Sequence, residues 1–202
     1  MARNSAPAMP LADVLDTFNG LPTHALLVHF TVVVATGGAL GGLAYAVVPR
    51  FRRWLGWPLA ATGACSVLLG LVTPASGEAL ERRVGESALV ERHAELGDQM
   101  GTILIVYGLV LVLTTLVVRW RRDASGAPVA PTAIDRLGGV PGTAPRAFPG
   151  QSQIAAGLTL LVLVLSVVSG VWIYRTGEAG ARAVWHDAPS APATAPRDGD
   201  DG

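Results

Sequence analysis

Histidines are the residues of this chain best suited to chemistry. Two of them, His24 and His29, open the stretch "LPTHALLVHFTVVVATGGALGG" at the mouth of a long apolar run. Imidazole binds haem iron and divalent metals and carries protons near neutral pH. The others are His93, in "ERHAELGD", and His186, near the end of the chain. His24 and His29 are five residues apart, which sets them about 140° apart around an α-helix. They can point at one small ligand only if His24 precedes the helix proper. Pro22, with Thr23 as a helix cap, would give that arrangement. His29 is then the expected inward residue, with Thr36 seven positions on and close to its face. His93 shares an apolar helical stripe with Leu89 and Leu96, and Gly97 and Gly101 leave room beside it. His29 and His93 are thus the expected pair, and His24 is a weaker third member.

Three chemistries fit such a pair. A b-type haem would take His29 and His93 as axial ligands between facing helices. A divalent metal such as zinc or copper would add a carboxylate, Glu78 or Glu95, to the two imidazoles. The third role is structural, with each imidazole bonding a backbone carbonyl or a loop carboxylate. HExxH and HxxxH spacings are absent, and His93 and Glu95, two residues apart, fall on different faces. The single cysteine, Cys65, allows no intrachain disulfide, no CxxCH haem attachment and no thiolate zinc site. Catalysis has less support. Ser76 precedes Gly77 in "TPASGEALERRVGESA", but GxSxG is missing and no nucleophile–base spacing is visible.

The elements that must position these residues are membrane helices. Of the 202 residues, 50% are hydrophobic and only 15% charged, against about 25% charged in ordinary soluble domains. Four apolar segments, about 25–48, 54–75, 88–119 and 154–174, each approach or exceed the roughly 20 residues needed to span a bilayer. Trp54 and Trp57, Trp120, and Trp172 with Tyr174 stand near segment ends, where amphipathic rings prefer the headgroup level. The fold class expected is all-α, an integral membrane four-helix up-and-down bundle. No repeat is visible beyond that alternation.

All 15 basic residues are arginine, the formal charge is zero, and no basic block interleaves with aromatics, so a nucleic-acid partner is not expected. Arg50, Arg52, Arg53, Arg119, Arg121 and Arg122 gather at one end of the segments, which places that end in the cytoplasm and both termini outside. Every histidine then lies on the outer side. Leu11, Val14, Leu15 and Phe18 at helical spacing predict a short interfacial helix within an N-terminal segment, 1–20. The membrane domain runs over 21–187. It contains a flexible Ala/Gly/Pro-rich loop at 123–150 and is followed by a disordered tail, 188–202. Gly37/Gly41 and Gly38/Gly42 form small-xxx-small rows that would pack against Thr62, Ser66 and Gly70 of the second helix.

"GLPTHALLVHF", "TPASGEALERRVGES", "ERHAELGD" and "GEAGARAVW", in this order, resemble the membrane proteins grouped as domain of unknown function 2231, over about Phe18 to Trp185. Ala25 departs from the proline common in the family's first motif. The resemblance implies a bacterial integral membrane protein without an established activity, similar in outline to two-haem cytochrome b-like bundles. His24, His29 and His93 match the family's histidine positions. By the same likeness, Gly177, Gly180 and Trp185 fold back on the outer face. The expected function is a haem-binding or redox-associated membrane subunit with its histidine site at the outer face. The alternatives are a non-catalytic structural or interaction protein and a divalent-metal-linked sensor. Expected partners are the lipid bilayer and a redox or other membrane protein.

Overall fold

A computed structural model of the chain describes residues 15–85, 87–124 and 149–185. Four long helices account for nearly all of these: α1 (Thr23–Val47), α2 (Arg52–Val84), α3 (Ala88–Ala124) and α4 (Pro149–Trp185). A two-residue antiparallel bridge, β1 (Thr17–Phe18) with β2 (Leu21–Pro22), leads into α1, and a 3-10 turn (Pro49–Phe51) joins α1 to α2. Each helix is long and apolar enough to cross a membrane, and the fold is an all-α membrane bundle. Most of the expected interfacial helix lies outside the described residues. Leu15 and Asp16 are helical, but Phe18 belongs to the bridge. His186, the tail 188–202 and most of the loop 123–150 also lie outside the described residues.

Two helices run further than hydropathy indicates. "GEALERRV" continues α2 without a break, and α4 continues past Tyr174 to Trp185 instead of folding back at its glycines. At about 1.5 Å per residue the 37 residues of α4 extend well beyond a hydrocarbon core about 30 Å thick. Both extensions project at the end where α1 and α3 begin, and they carry Gly77 and Gly180, the glycines beside the histidine rings.

The packing is that of a lipid-facing bundle. Val33, Leu40 and Leu68 are 69%, 64% and 63% exposed, while Ala35, Ser66, Thr114, Ser166 and Ser169 are buried between helices. Small residues let backbones approach, and van der Waals contact replaces the hydrophobic effect inside lipid. The tightest seam joins α2 to α3. A Cβ on Gly63 would lie 2.6 Å from the Gly108 carbonyl, and one on Gly70 would lie 2.6 Å from that of Gly101. Three of the four α1 glycines are packing surface, on more than one neighbour. Gly38 meets Thr62 and Tyr107, Gly41 meets Leu59, and Gly42 lies tightest of all, against Tyr107 and Ser166, while Gly37 faces open space. At the opposite end from the histidines, Arg52 donates to the Tyr45 and Ala46 carbonyls and so caps the C-terminus of α1.

α1 packs on α2 and α4, and α3 packs on the same two, so α1 and α3 stand diagonally across the bundle. The two hairpins, α1–α2 and α3–α4, share one register. The buried positions Thr31, Ala35, Gly38, Gly42 and Tyr45 of α1, shifted by 69, fall on Met100, Leu104, Tyr107, Leu111 and Thr114 of α3, all buried. Leu59, Gly63 and Ser66 of α2, shifted by 103, fall on Val162, Ser166 and Ser169 of α4, again all buried. The matched burial reads as a parallel repeat of the two hairpins. Such repeats often place ligand sites at the interface between their halves. The sequence hides this repeat because the two halves share burial pattern and few identities. Across the bundle, Tyr107 donates to the Gly38 carbonyl at 2.7 Å and shares a 2.8 Å hydrogen bond with Ser166. This polar node ties α1, α3 and α4 together well inside the bundle.

Candidate functional site

The inward histidine of α1 is His24. It lies one residue into the helix, on the row that continues through Val28, Thr31 and Ala35. His29 lies about 140° away on the same helix and is exposed beside Phe30 and Val33, as is Thr36. Its Nδ1 donates to the Ala25 carbonyl of its own helix. The expected pairing of His29 with His93 is therefore replaced by His24 with His93. The two rings meet edge to face from the diagonal helices, with centroids 6.4 Å apart and planes at 79°. Glu78 is exposed and lines no cavity with them. Glu95 pairs with Arg92 on the surface. Among the described residues, no group of three or more His, Cys, Asp or Glu side chains gathers as a metal cage.

Each histidine is seated by the next helix in the same way. His24 Nδ1 lies 3.2 Å from the Thr73 carbonyl and 3.1 Å from Ser76 Oγ. Ser76 Oγ donates its own proton to the Thr73 carbonyl at 2.7 Å. Both partners can then only accept, so Nδ1 of His24 carries the proton. His93 Nδ1 lies 3.1 Å from the Thr176 carbonyl, which likewise only accepts. In the neutral form of each ring the lone pair is consequently on Nε2. The carbonyls are reachable because a glycine follows each by four residues. A Cβ on Gly77 would lie 3.2 Å from His24 Cε1, and one on Gly180 would lie 2.9 Å from His93 Cε1. Thr73-xxx-Gly77 and Thr176-xxx-Gly180 are thus equivalent receptors, 103 positions apart, for histidines 69 positions apart.

The threonine hydroxyls complete the match. Thr31 Oγ1 donates to the Leu27 carbonyl at 2.8 Å, which leaves Thr73 Oγ1 to donate to Thr31 Oγ1 at 2.9 Å. In the second half Met100 stands where Thr31 does, and Thr176 Oγ1 donates directly to the Leu96 carbonyl at 3.3 Å. Leu96 is itself the equivalent of Leu27. Ser76 beside His24 looks like a nucleophile–base pair. However, Ser76 is 1% exposed and its proton is directed at Thr73, so it serves as a positioning acceptor.

Below the two rings lies a cavity of about 110 Å³, to which all four helices contribute. His24 and His93 form its polar end. Thr31, Thr73 and Thr176 line it with Met100 and a largely apolar remainder. Gly97 opens directly onto free space, as the sequence led us to expect, whereas Gly101 packs against Pro74 and the Gly70 carbonyl. Among the described residues, no carboxylate and no arginine lines the cavity.

Sequence reasoning missed Thr73, Thr176, Gly77 and Gly180. The signal was present: both histidines are followed by alanine, and both Thr-xxx-Gly steps sit just beyond an apolar span. Comparison with curated proteins and with solved structures returns no match. The family described as "Predicted membrane protein (DUF2231)" matches residues 20–190, a range containing both hairpins, both histidines and both glycine receptors. The chain therefore belongs to the DUF2231 family of predicted membrane proteins.

Proposed function

We propose that this protein binds a transition metal between His24 and His93, at the end of the bundle where α1 and α3 begin. One observation carries the reading: both rings commit Nδ1–H to a backbone carbonyl on the next helix. This is the usual outer-shell arrangement of a ligating histidine, since it fixes the tautomer and leaves Nε2 as a basic donor. A purely structural tie uses Nδ1 alone and leaves two Nε2 lone pairs beside one cavity without a role. The arginine distribution supports an orientation in which the site faces outward from a bacterial cell membrane. The protein would then act as a metal-linked or redox-associated membrane subunit.

A bis-histidine haem b is the second reading, favoured by two imidazoles facing each other across a four-helix bundle. The cavity does not fit it. Its volume of about 110 Å³ is below the roughly 150 Å³ that accommodates a benzene. A porphyrin would require the helices to part, and among the described residues no cationic side chain in the lining meets its propionates. The test uses full-length protein purified in detergent after expression with ample haem and trace metals. The metal reading expects bound metal by elemental analysis, no Soret band, and loss of the metal in His24→Ala and His93→Ala. A Soret band abolished by those substitutions would establish haem instead. A metal-free, colourless protein that gains no metal on titration would leave only the structural tie.

A further inference from the structure

Resting on the metal-site reading above, we infer that the cavity is built for a soft monovalent ion, cuprous copper, held in near-linear fashion by His24 and His93 with Met100 beneath them. Three independent features point to this ion.

The first is spacing. A metal–nitrogen bond of about 2 Å on each side plus the roughly 1 Å half-width of each ring sets collinear ring centroids about 6 Å apart. A tetrahedral angle at the metal would draw them in to about 5 Å. The observed 6.4 Å is wide enough for the extended arrangement and wider than a tetrahedral one needs. Two-coordinate, near-linear binding is characteristic of cuprous copper and foreign to zinc, which closes a tetrahedron of four ligands.

The second is charge. Among the described residues the cavity wall holds no carboxylate, and the neighbouring carboxylates Glu78 and Glu95 are exposed. The cost of taking an ion out of water scales with the square of its charge. A divalent ion between two neutral imidazoles in this setting therefore meets about four times the penalty of a monovalent one.

The third is softness. The two halves of the repeat differ at the position seven residues after each histidine, which is Thr31 in α1 and Met100 in α3. The Thr31 hydroxyl is already engaged with Leu27 and Thr73. Met100 is 6% exposed and lines the cavity, so the repeat departs from its own symmetry to supply a thioether. Thioether sulfur favours cuprous copper over harder ions. Cys65, the only thiol, does not line the cavity.

The test is a competition titration of full-length, metal-stripped protein in detergent. Cuprous copper is buffered anaerobically with bicinchoninate, silver(I) serves as its redox-inert analogue, and zinc is followed in parallel with a chromophoric chelator. One cuprous ion per chain is expected, with an affinity at least 100-fold above that for zinc. Met100→Leu should weaken cuprous copper about tenfold or more and leave zinc unchanged. Gly97→Phe, which fills the open space beside the rings, should block both silver and copper while circular dichroism reports a folded helix bundle. Zinc binding as tight as copper, or a Met100→Leu variant with unaltered copper affinity, overturns the assignment of the ion and leaves the metal site standing. Retention of neither ion overturns both.

Discussion

Replacing Gly180 by alanine tests the seat of His93. A Cβ there would lie 2.9 Å from Cε1 and 3.0 Å from Nδ1 of the imidazole, closer than carbon atoms pack. The ring must withdraw, and with it goes the 3.1 Å hydrogen bond to the Thr176 carbonyl. Overpacking costs about 1–3 kcal/mol, and the lost hydrogen bond adds about 0.5–1.5 kcal/mol. Alanine returns about 0.5–1 kcal/mol through its better helix propensity. The net is a destabilisation of about 2 kcal/mol, or roughly 4–8 °C in a chain of this size. Gly77→Ala is the milder counterpart, because its Cβ would sit 3.2 Å from His24 Cε1 and a few tenths of an ångström of movement relieves it. Gly37→Ala faces open space and should be neutral or slightly stabilising. Thermal unfolding of the three variants in one detergent, followed by circular dichroism, should rank Gly180→Ala below Gly77→Ala and Gly77→Ala below Gly37→Ala. The reasoning fails if Gly180→Ala is as stable as Gly37→Ala, since the imidazole would then not rest on that glycine.

Other substitutions probe the frame around the site. Tyr107→Phe removes the donor to the Gly38 carbonyl but leaves Ser166 bonded to Val162. A loss of about 1 kcal/mol is expected in reversible unfolding, and no loss would mean the node contributes nothing. Gly108→Ala drives a Cβ into the Gly63 carbonyl. Backbone cannot rotate aside as a side chain can, so the α2–α3 seam should open and stability fall further than in Gly180→Ala. His29→Ala changes an exposed ring bonded only within its own helix, and metal load and melting temperature should both stay at the wild-type value.

Much of the architecture was legible because apolar length acts locally along the chain. α1 begins at Thr23 and α3 at Ala88, beside the expected 25 and 88, while α4 begins at Pro149, five residues before the expected 154. The far ends of α2 and α4 were not legible, because "GEALERRV" and "RTGEAGARAVW" lose the hydropathy that marks a span while the backbone simply continues as helix. The site was half legible. His93 was placed inward by its own stripe, and Gly97 beside it. The wrong histidine of α1 was favoured because the choice leaned on Thr36 instead of on the small residues. Thr31, Ala35, Gly38 and Gly42 are the buried row, and stepping back seven residues from Thr31 reaches His24. The receptors were invisible for a different reason. They are backbone carbonyls on neighbouring helices, and side-chain identity records them only through the glycine that clears the approach.

The account turns on two imidazoles that hold a proton at Nδ1 and offer Nε2 to a shared ligand. Nitrogen-15 spectra of histidine-labelled full-length protein in micelles read this directly, with His24→Ala and His93→Ala assigning the rings. The prediction is that both are locked as Nδ1–H tautomers, and that cuprous ion or silver shifts Nε2 of these two rings and leaves His29 where it was. The account is contradicted if either ring carries its proton on Nε2, or if added metal moves His29 while His24 and His93 stay unchanged.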